Sequence, residues 1–179
     1  SFTQIVLDED GWAKLKSEVD KVLELAIDLQ NESAARLQDG NAGGEEISDR
    51  LEIQQLLVDY STAIDQKRFD DLDAVFTPDA YIDYSVAGGI EGHFPEVKAW
   101  LKEVLPNFPI YYHMLGNVDI RVSGDTATSR AICFNPMVMG GDSGQVYFVG
   151  IWYVDEFVRT EQGWRMSKRV EEKCFDKLL

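Results

Sequence analysis

After Pro106 the chain turns β-branched and aromatic, and nothing else in the sequence restricts the fold as strongly. Four long runs follow: "IYYHMLGNVDIRVS", "TATSRAICFNPMVM", "GQVYFVGIWYVDEFVRT" and "GWRMSKRVEEKCF". They are separated by Ser123–Asp125, Gly140–Gly144 and Glu161–Gly163, short spacers with the Gly and Asp that hairpin turns require. The pattern predicts an antiparallel meander.

The stretch before the meander reads differently. Residues 8–38 carry Trp12, Leu15, Val19, Val22, Leu23, Ala26 and Leu29 at steps of three and four, the signature of one apolar helical stripe. Asp8, Glu9 and Asp10 suit its N-terminus, where the helix dipole favours negative charge. "DGNAGGEE" then predicts a Gly-rich break and flexible linker. A second helix is expected over 45–67, with Leu51, Leu56, Leu57, Tyr60 and Ile64 buried, and a short one ending before Pro78. "YIDYSV" and "IEGHF" pair as a hairpin through "AGG", and "FPEVKAWLKEVLP" forms a third helix. The expected organisation is an N-terminal amphipathic helix and linker over 1–44, followed by one α+β domain over 45–179. A curved sheet with helices across its concave side encloses a pocket, the natural ligand site.

Composition narrows the function classes. A net charge of −15 repels phosphate backbones and anionic headgroups, so nucleic-acid and membrane partners are not expected. The apolar runs are too short to span a bilayer. The opening "SFTQIVLDEDGW" has no basic n-region or long apolar core, which makes the cytoplasm the expected location. Cys133 and Cys174 form no CxxC pattern and need no disulfide. HExxH, GxSxG, P-loop and GxGxxG motifs are all absent, and no His–carboxylate cluster points to a metal. The expectation is therefore a cofactor-free protein acting on a small molecule.

The chain has only two histidines. His93, in "EGHF" just before a helix, suits an exposed or structural place. His113 sits in the apolar run "IYYHMLGNVDI", where a buried imidazole is costly unless it is hydrogen-bonded. A carboxylate facing it would fix its tautomer and raise its basicity, making a general base that works near neutral pH. Asp65, near the end of the second helix, is the candidate. Pattern alone leaves two readings open: a catalytic pair, or a satisfied core histidine and a solvated aspartate.

Several longer stretches carry a family resemblance. "DRLEIQQLLVDYSTAIDQKRFDDLDAVFTPDAYIDY", "HMLGNVDIRVSGDTATSR", "GIWYVDEFVR" and "GWRMSKR" together span Asp49 to about Lys173. They resemble the SnoaL-like family of the nuclear-transport-factor-2-like superfamily, which includes scytalone dehydratase, bile-acid dehydratase and hexachlorocyclohexane dehydrochlorinase. The resemblance implies a cone-shaped α+β fold in which a curved antiparallel sheet and three helices surround a pocket, here with an extra N-terminal helix. It also implies a lyase without metal or organic cofactor, in which a His–Asp dyad acts as base. His113 and Asp65 match the dyad positions, and Tyr84 matches a phenol that reaches into the cone. The second histidine of some dehydratases has no equivalent in "QVYFVGIWY".

For the substrate-binding wall, the candidates are Asn117, Tyr60, Tyr111, Trp100, Phe134, Asn135, Phe148 and Trp152, with Met137 and Met139 as further apolar lining. Aromatic and Met walls suit a flat, apolar, aromatic or polycyclic substrate. Arg130 and Arg169 are read as structural ion pairs. The expected reaction is elimination, dehydration above all. A retro-aldol cleavage, such as formaldehyde release from an aryl propanediol, an isomerisation and a non-enzymatic ligand-binding or scaffold role remain alternatives. A homo-oligomer, dimer or trimer, is expected from the apolar stripe of the first helix and the long outer strand faces.

Overall fold

The computed structural model of the chain describes residues 8–140 and 144–179. The expected turn at Gly140–Gly144 falls mostly outside them, and so do the side chains of Leu23 and Ala26. The chain divides into two units, one ending at Glu45 and one running from Glu46 to Leu179.

Helix α1 is Glu9–Asp65, 57 residues long, so the helix carries through the Gly-rich segment where a break was expected. Each Gly costs a helix only about 1 kcal/mol relative to Ala, and unlike Pro it keeps its N–H. "DGNAGGEE" contains three Gly and no Pro, so it weakens the helix without ending it. In the first unit Trp12, Val19, Val22, Leu25 and Leu29 are exposed.

The end of α1 matters more for function. The Arg68 N–H donates to the Ala63 carbonyl and the Lys67 N–H to the Ile64 carbonyl. Lys67 takes a left-handed φ of 57°. This is a Schellman stop with a non-Gly residue at its left-handed position. It makes Asp65 the last helical residue, two short of the expected end.

The second unit holds a seven-stranded sheet: β1 (Phe76–Asp83), β2 (Glu91–His93), β3 (Ile110–Tyr111), β4 (Met114–Ser123), β5 (Thr126–Val138), β6 (Val146–Thr160) and β7 (Gly163–Leu178). The strand order is β2-β1-β7-β6-β5-β3, with β4 also on β5. Pairing is antiparallel as expected, except that β1 lies parallel to β7. The hairpin β1–β2 thus closes onto the last strand of the meander. Helix α2 (Phe94–Val104) has Pro95 in its first turn and buries Phe94, Val97 and Leu101.

Helix and sheet share one core, in which Ile53, Leu57, Ile64, Leu72, Ile82 and Trp164 are each no more than 2% exposed. Buried charge ties the elements together at two points. Asp49 on α1 accepts from Arg159 Nη1 and Nη2 at 2.8 and 2.7 Å, and from Trp164 Nε1 at 3.0 Å. These bonds hold its carboxyl below the usual range, with the Arg159 bonds acting most strongly. Deeper in the sheet, Arg169 and Asp155 form a pair in which both side chains are fully buried.

Candidate active site

The strand that should carry His113 is interrupted at that residue. Tyr111 pairs with Met137 and Met114 with Phe134, while Tyr112 and His113 lie between β3 and β4 outside any strand. The backbone N–H of His113 is therefore free of the ladder, and it donates to Asp65 Oδ2 at 3.0 Å. The ring Nδ1 of the same residue lies 2.6 Å from Asp65 Oδ1. One carboxylate thus holds both the main chain and the imidazole. An ionised carboxylate only accepts, so Nδ1 carries a hydrogen, and in the neutral imidazole the lone pair then belongs to Nε2. The His113 side chain is 5% exposed and that of Asp65 24%.

Nε2 faces Asn135, whose Nδ2 lies 3.3 Å away. The other amide atom, Asn135 Oδ1, is buried without a hydrogen-bond partner in the described residues. An amide so placed can donate to a neutral Nε2 and, after a half-turn, accept from a protonated one. The imidazole is packed by rings, with Tyr60 edge-on at 6.1 Å and Tyr153 stacked at 6.5 Å between centroids.

His113 and Asn135 open onto a cavity of about 150 Å³, shared with Tyr60, Tyr84, Trp100 and Glu171. The hydroxyls of Tyr60 and Tyr84 are 2.8 Å apart. Burial raises the Tyr60 pKa to about 12 and also pushes that of Tyr84 well up from its ordinary value, so both remain phenols and proton donors. One hydroxyl donates to the other, which leaves the second proton available to a ligand oxygen. Gly89 allows this arrangement: a Cβ there would lie 2.7 Å from that of Tyr84.

The remaining expected wall residues lie elsewhere. Phe134 and Phe148 stack at 5.9 Å and do not line the cavity. Trp152 also stays off the cavity, under the Arg130 guanidinium at 3.9 Å from its ring centroid. Strand alternation is the reason: Cys133, Asn135 and Met137 share one face of β5, and Tyr147, Val149, Ile151 and Tyr153 one face of β6, which turns the even-numbered neighbours outward. Asn117 is exposed with φ of 47°, in a bulge where Gly116 pairs with Ile132 but Asp119 with Arg130. Tyr111 is buried, and its hydroxyl donates to the Ile64 carbonyl at 2.9 Å, which braces the end of α1 beside Asp65. His93 is exposed and donates from Nδ1 to the Asp79 carbonyl at 3.0 Å. Of the two arginines, Arg169 pairs with buried Asp155 and Arg130 with exposed Glu172.

Sequence reasoning missed Glu171 and Tyr153. Tyr153 could have been found from the parity of β6, given that Tyr147 to Tyr153 alternate cleanly. Glu171 lies in "RVEEKCF", which reads as a solvated strand end.

Comparison with known proteins agrees with this architecture. The SnoaL-like domain profile matches residues 45–170. The uncharacterized protein Rv2910c of Mycobacterium tuberculosis is 69% identical over 134 residues, 75% of this chain and 91% of that protein. The Kfla4162 protein from Kribbella flavida has a similar structure, with a TM-score of 0.69 and 26% identity over 74% of this chain and 95% of its own. The hexachlorocyclohexane dehydrochlorinase LinA-type3 from Novosphingobium barchaimii has a TM-score of 0.66 over 75% of this chain and 92% of its own. At 20% identity that likeness is one of fold alone. The profile runs from the end of the first unit through the helix of Asp65 and the strands around His113 into β7, and over that length the chain belongs to the SnoaL-like domain family.

Proposed function

We propose that this protein is a cofactor-independent lyase that eliminates a leaving group, water above all, from a small aromatic molecule. One observation carries the reading: an imidazole held by Asp65 at 2.6 Å, with its other nitrogen turned to a partly open, largely apolar cavity. His113 Nε2 takes a proton from carbon, and Asp65 stabilises the imidazolium that forms. The electron pair left behind becomes the new double bond as the leaving group departs. The Tyr60–Tyr84 pair donates a hydrogen bond to a substrate oxygen such as a carbonyl, where charge develops during proton removal. No step calls for a metal or an organic cofactor.

Cavity size refines the substrate class. A cavity of about 150 Å³ is the size that accepts a benzene ring, so one aromatic ring fits better than a polycyclic frame. Incubation with aryl β-hydroxy ketones tests the reading. Water loss creates a conjugated double bond whose absorbance can be followed directly. Wild-type protein is expected to produce it. A rate no greater than the uncatalysed one across such a panel would count against elimination and favour a binding role.

The same reading has the protein work as a dimer or trimer. Ile110, Tyr112, Met114 and Phe175 are each 46–64% exposed, more apolar surface at one end of the sheet than a monomer usually shows. Light scattering at micromolar concentration should give a multiple of the chain mass, and a monomer mass would remove this claim.

A further inference from the structure

The inner face of β7 carries Arg169 and Glu171, and among the described residues only Arg169 has a charged side-chain partner within hydrogen-bond reach. Arg169 is fully buried, with Nε and Nη2 each 2.8 Å from an Asp155 oxygen. Glu171 is 7% exposed, lines the same cavity as His113, and its Oε2 has no hydrogen-bond partner in the described residues. An ionised carboxylate so placed is a buried charge without the bonds that normally sustain it. A neutral carboxylic acid is far less costly there, and it has a proton to give.

The surroundings of Glu171 favour the neutral form from nearly every side. Burial has the largest influence, Arg169 on its own strand opposes it, and Asp83 on β1 and Asp155 on β6 reinforce it. The net effect is to push the carboxyl from 4.5 to about 8. The other titratable groups that interact with it are Tyr60 on α1, Tyr84 after β1, Cys133 on β5 and Tyr153 on β6. Burial raises the pKa of each, so all four are neutral and none supplies a positive charge. The charge of Arg169 is matched mainly by Asp155, at Nε and Nη2, while its Nη1 has no hydrogen-bond partner among the described residues.

We propose that Glu171 is a second catalytic group of this cavity, a neutral acid that hands its proton to the departing oxygen of a β-hydroxy carbonyl substrate. The inference rests on the elimination reading above. The step balances without any further reagent. The C–H bond breaks and its proton goes to His113 Nε2. Its electron pair forms the carbon–carbon double bond, the C–O bond breaks, and the oxygen takes the Glu171 proton and leaves as water. Imidazolium and carboxylate remain, and exchange with solvent returns one proton from His113 and one to Glu171.

Two measurements test this, and the first needs no substrate. Infrared difference spectra of the whole chain, titrated from about pH 6 to about pH 10, should show a neutral carboxyl band that disappears near pH 8. Glu171→Gln and Glu171→Leu proteins should lack it. Its raised pKa also means that the folded state holds a proton which the unfolded chain has lost. Wild-type stability should therefore fall as pH rises between about 4.5 and about 8, with a slope of one proton that Glu171→Gln removes. A carboxyl at this position already ionised at pH 6 would overturn the proposal.

The second measurement compares an aryl β-hydroxy ketone with its β-chloro analogue, because chloride leaves without a proton. Glu171→Gln is expected to lower the hydroxy-to-chloro rate ratio by about 10²-fold or more, the span of general acid catalysis. His113→Ala should slow both compounds and leave the ratio alone. An unchanged ratio in Glu171→Gln would overturn the acid role. Full activity in His113→Ala would instead overturn the base reading, and the infrared titration would still decide whether Glu171 holds a proton.

Discussion

His113→Ala protein is expected to fold normally and to lose turnover by about 10³-fold or more, within the range that a positioned general base contributes. Among the cavity residues only His113 joins a carboxylate partner to a second ring nitrogen on the cavity side. Asp65→Asn should cost nearly as much, for a reason visible in the geometry. The aspartate accepts two hydrogen bonds, one from the His113 backbone N–H and one from Nδ1. An amide has only one accepting atom. Its NH₂ must face one of two donors, and the relief is a tautomer switch that moves the ring hydrogen to Nε2, where the lone pair is needed. The double variant should be little worse than either single one, because the two residues act as a unit. Single-turnover rates on a β-hydroxy ketone, alongside urea denaturation, separate this from loss of fold. Near-normal turnover by folded His113→Ala protein would end the base hypothesis.

Asp155→Ala should destabilise the protein by about 3–5 kcal/mol, a large part of the stability of a domain this size. It would strand Arg169, which is 0% exposed, between aromatic faces with no counter-charge. The guanidinium carbon lies 4.0 Å from the Tyr60 ring centroid and 3.9 Å from that of Tyr153. Ser129 Oγ, which donates to Asp155 at 3.2 Å, would lose its acceptor as well. Replacing both partners, Asp155→Leu with Arg169→Met, should recover most of the loss, because two well-packed apolar side chains avoid the cost of desolvating two charges. Urea midpoints of the two variants and the wild type check this. A single variant within about 1 kcal/mol of wild type would show that the pair contributes little, as exposed pairs usually do. The pair also bears on the site. Arg169 packs against Tyr60, and Tyr60 bonds Tyr84, so a rescued fold with a displaced Tyr60 should bind substrate less well.

What the sequence determined by itself was local in origin. Period-two alternation and Gly-bearing turns specify long paired strands wherever the chain lies, so the meander after Pro106 is legible. The stripe of Leu56, Leu57, Tyr60 and Ile64 likewise marks the buried face of the second unit's helix, whereas Leu51, expected to be buried with them, is 62% exposed. Family resemblance drew attention to Asp65 and His113, which are 48 positions apart.

Only the tertiary structure could decide the rest, because each remaining feature depends on what distant segments bring to a residue. Alternation tells that Asn135 and Phe134 point to opposite faces, but not which face is covered by α1 and α2. That is why Phe134, Phe148 and Trp152 were expected in a wall that Met137, Val149 and Tyr153 form. The gap between β3 and β4 leaves the His113 N–H to Asp65 instead of to the β5 ladder, and only the folded chain brings Asp65 there. Glu171 looks like an ordinary surface charge in "RVEEKCF". Its chemistry is set by burial and by Arg169, Asp83 and Asp155, three residues that only the folded sheet places around it. Hydrogen bonds and solvation act over a few ångströms, and in a chain with long antiparallel strands those ångströms join residues that the sequence keeps far apart.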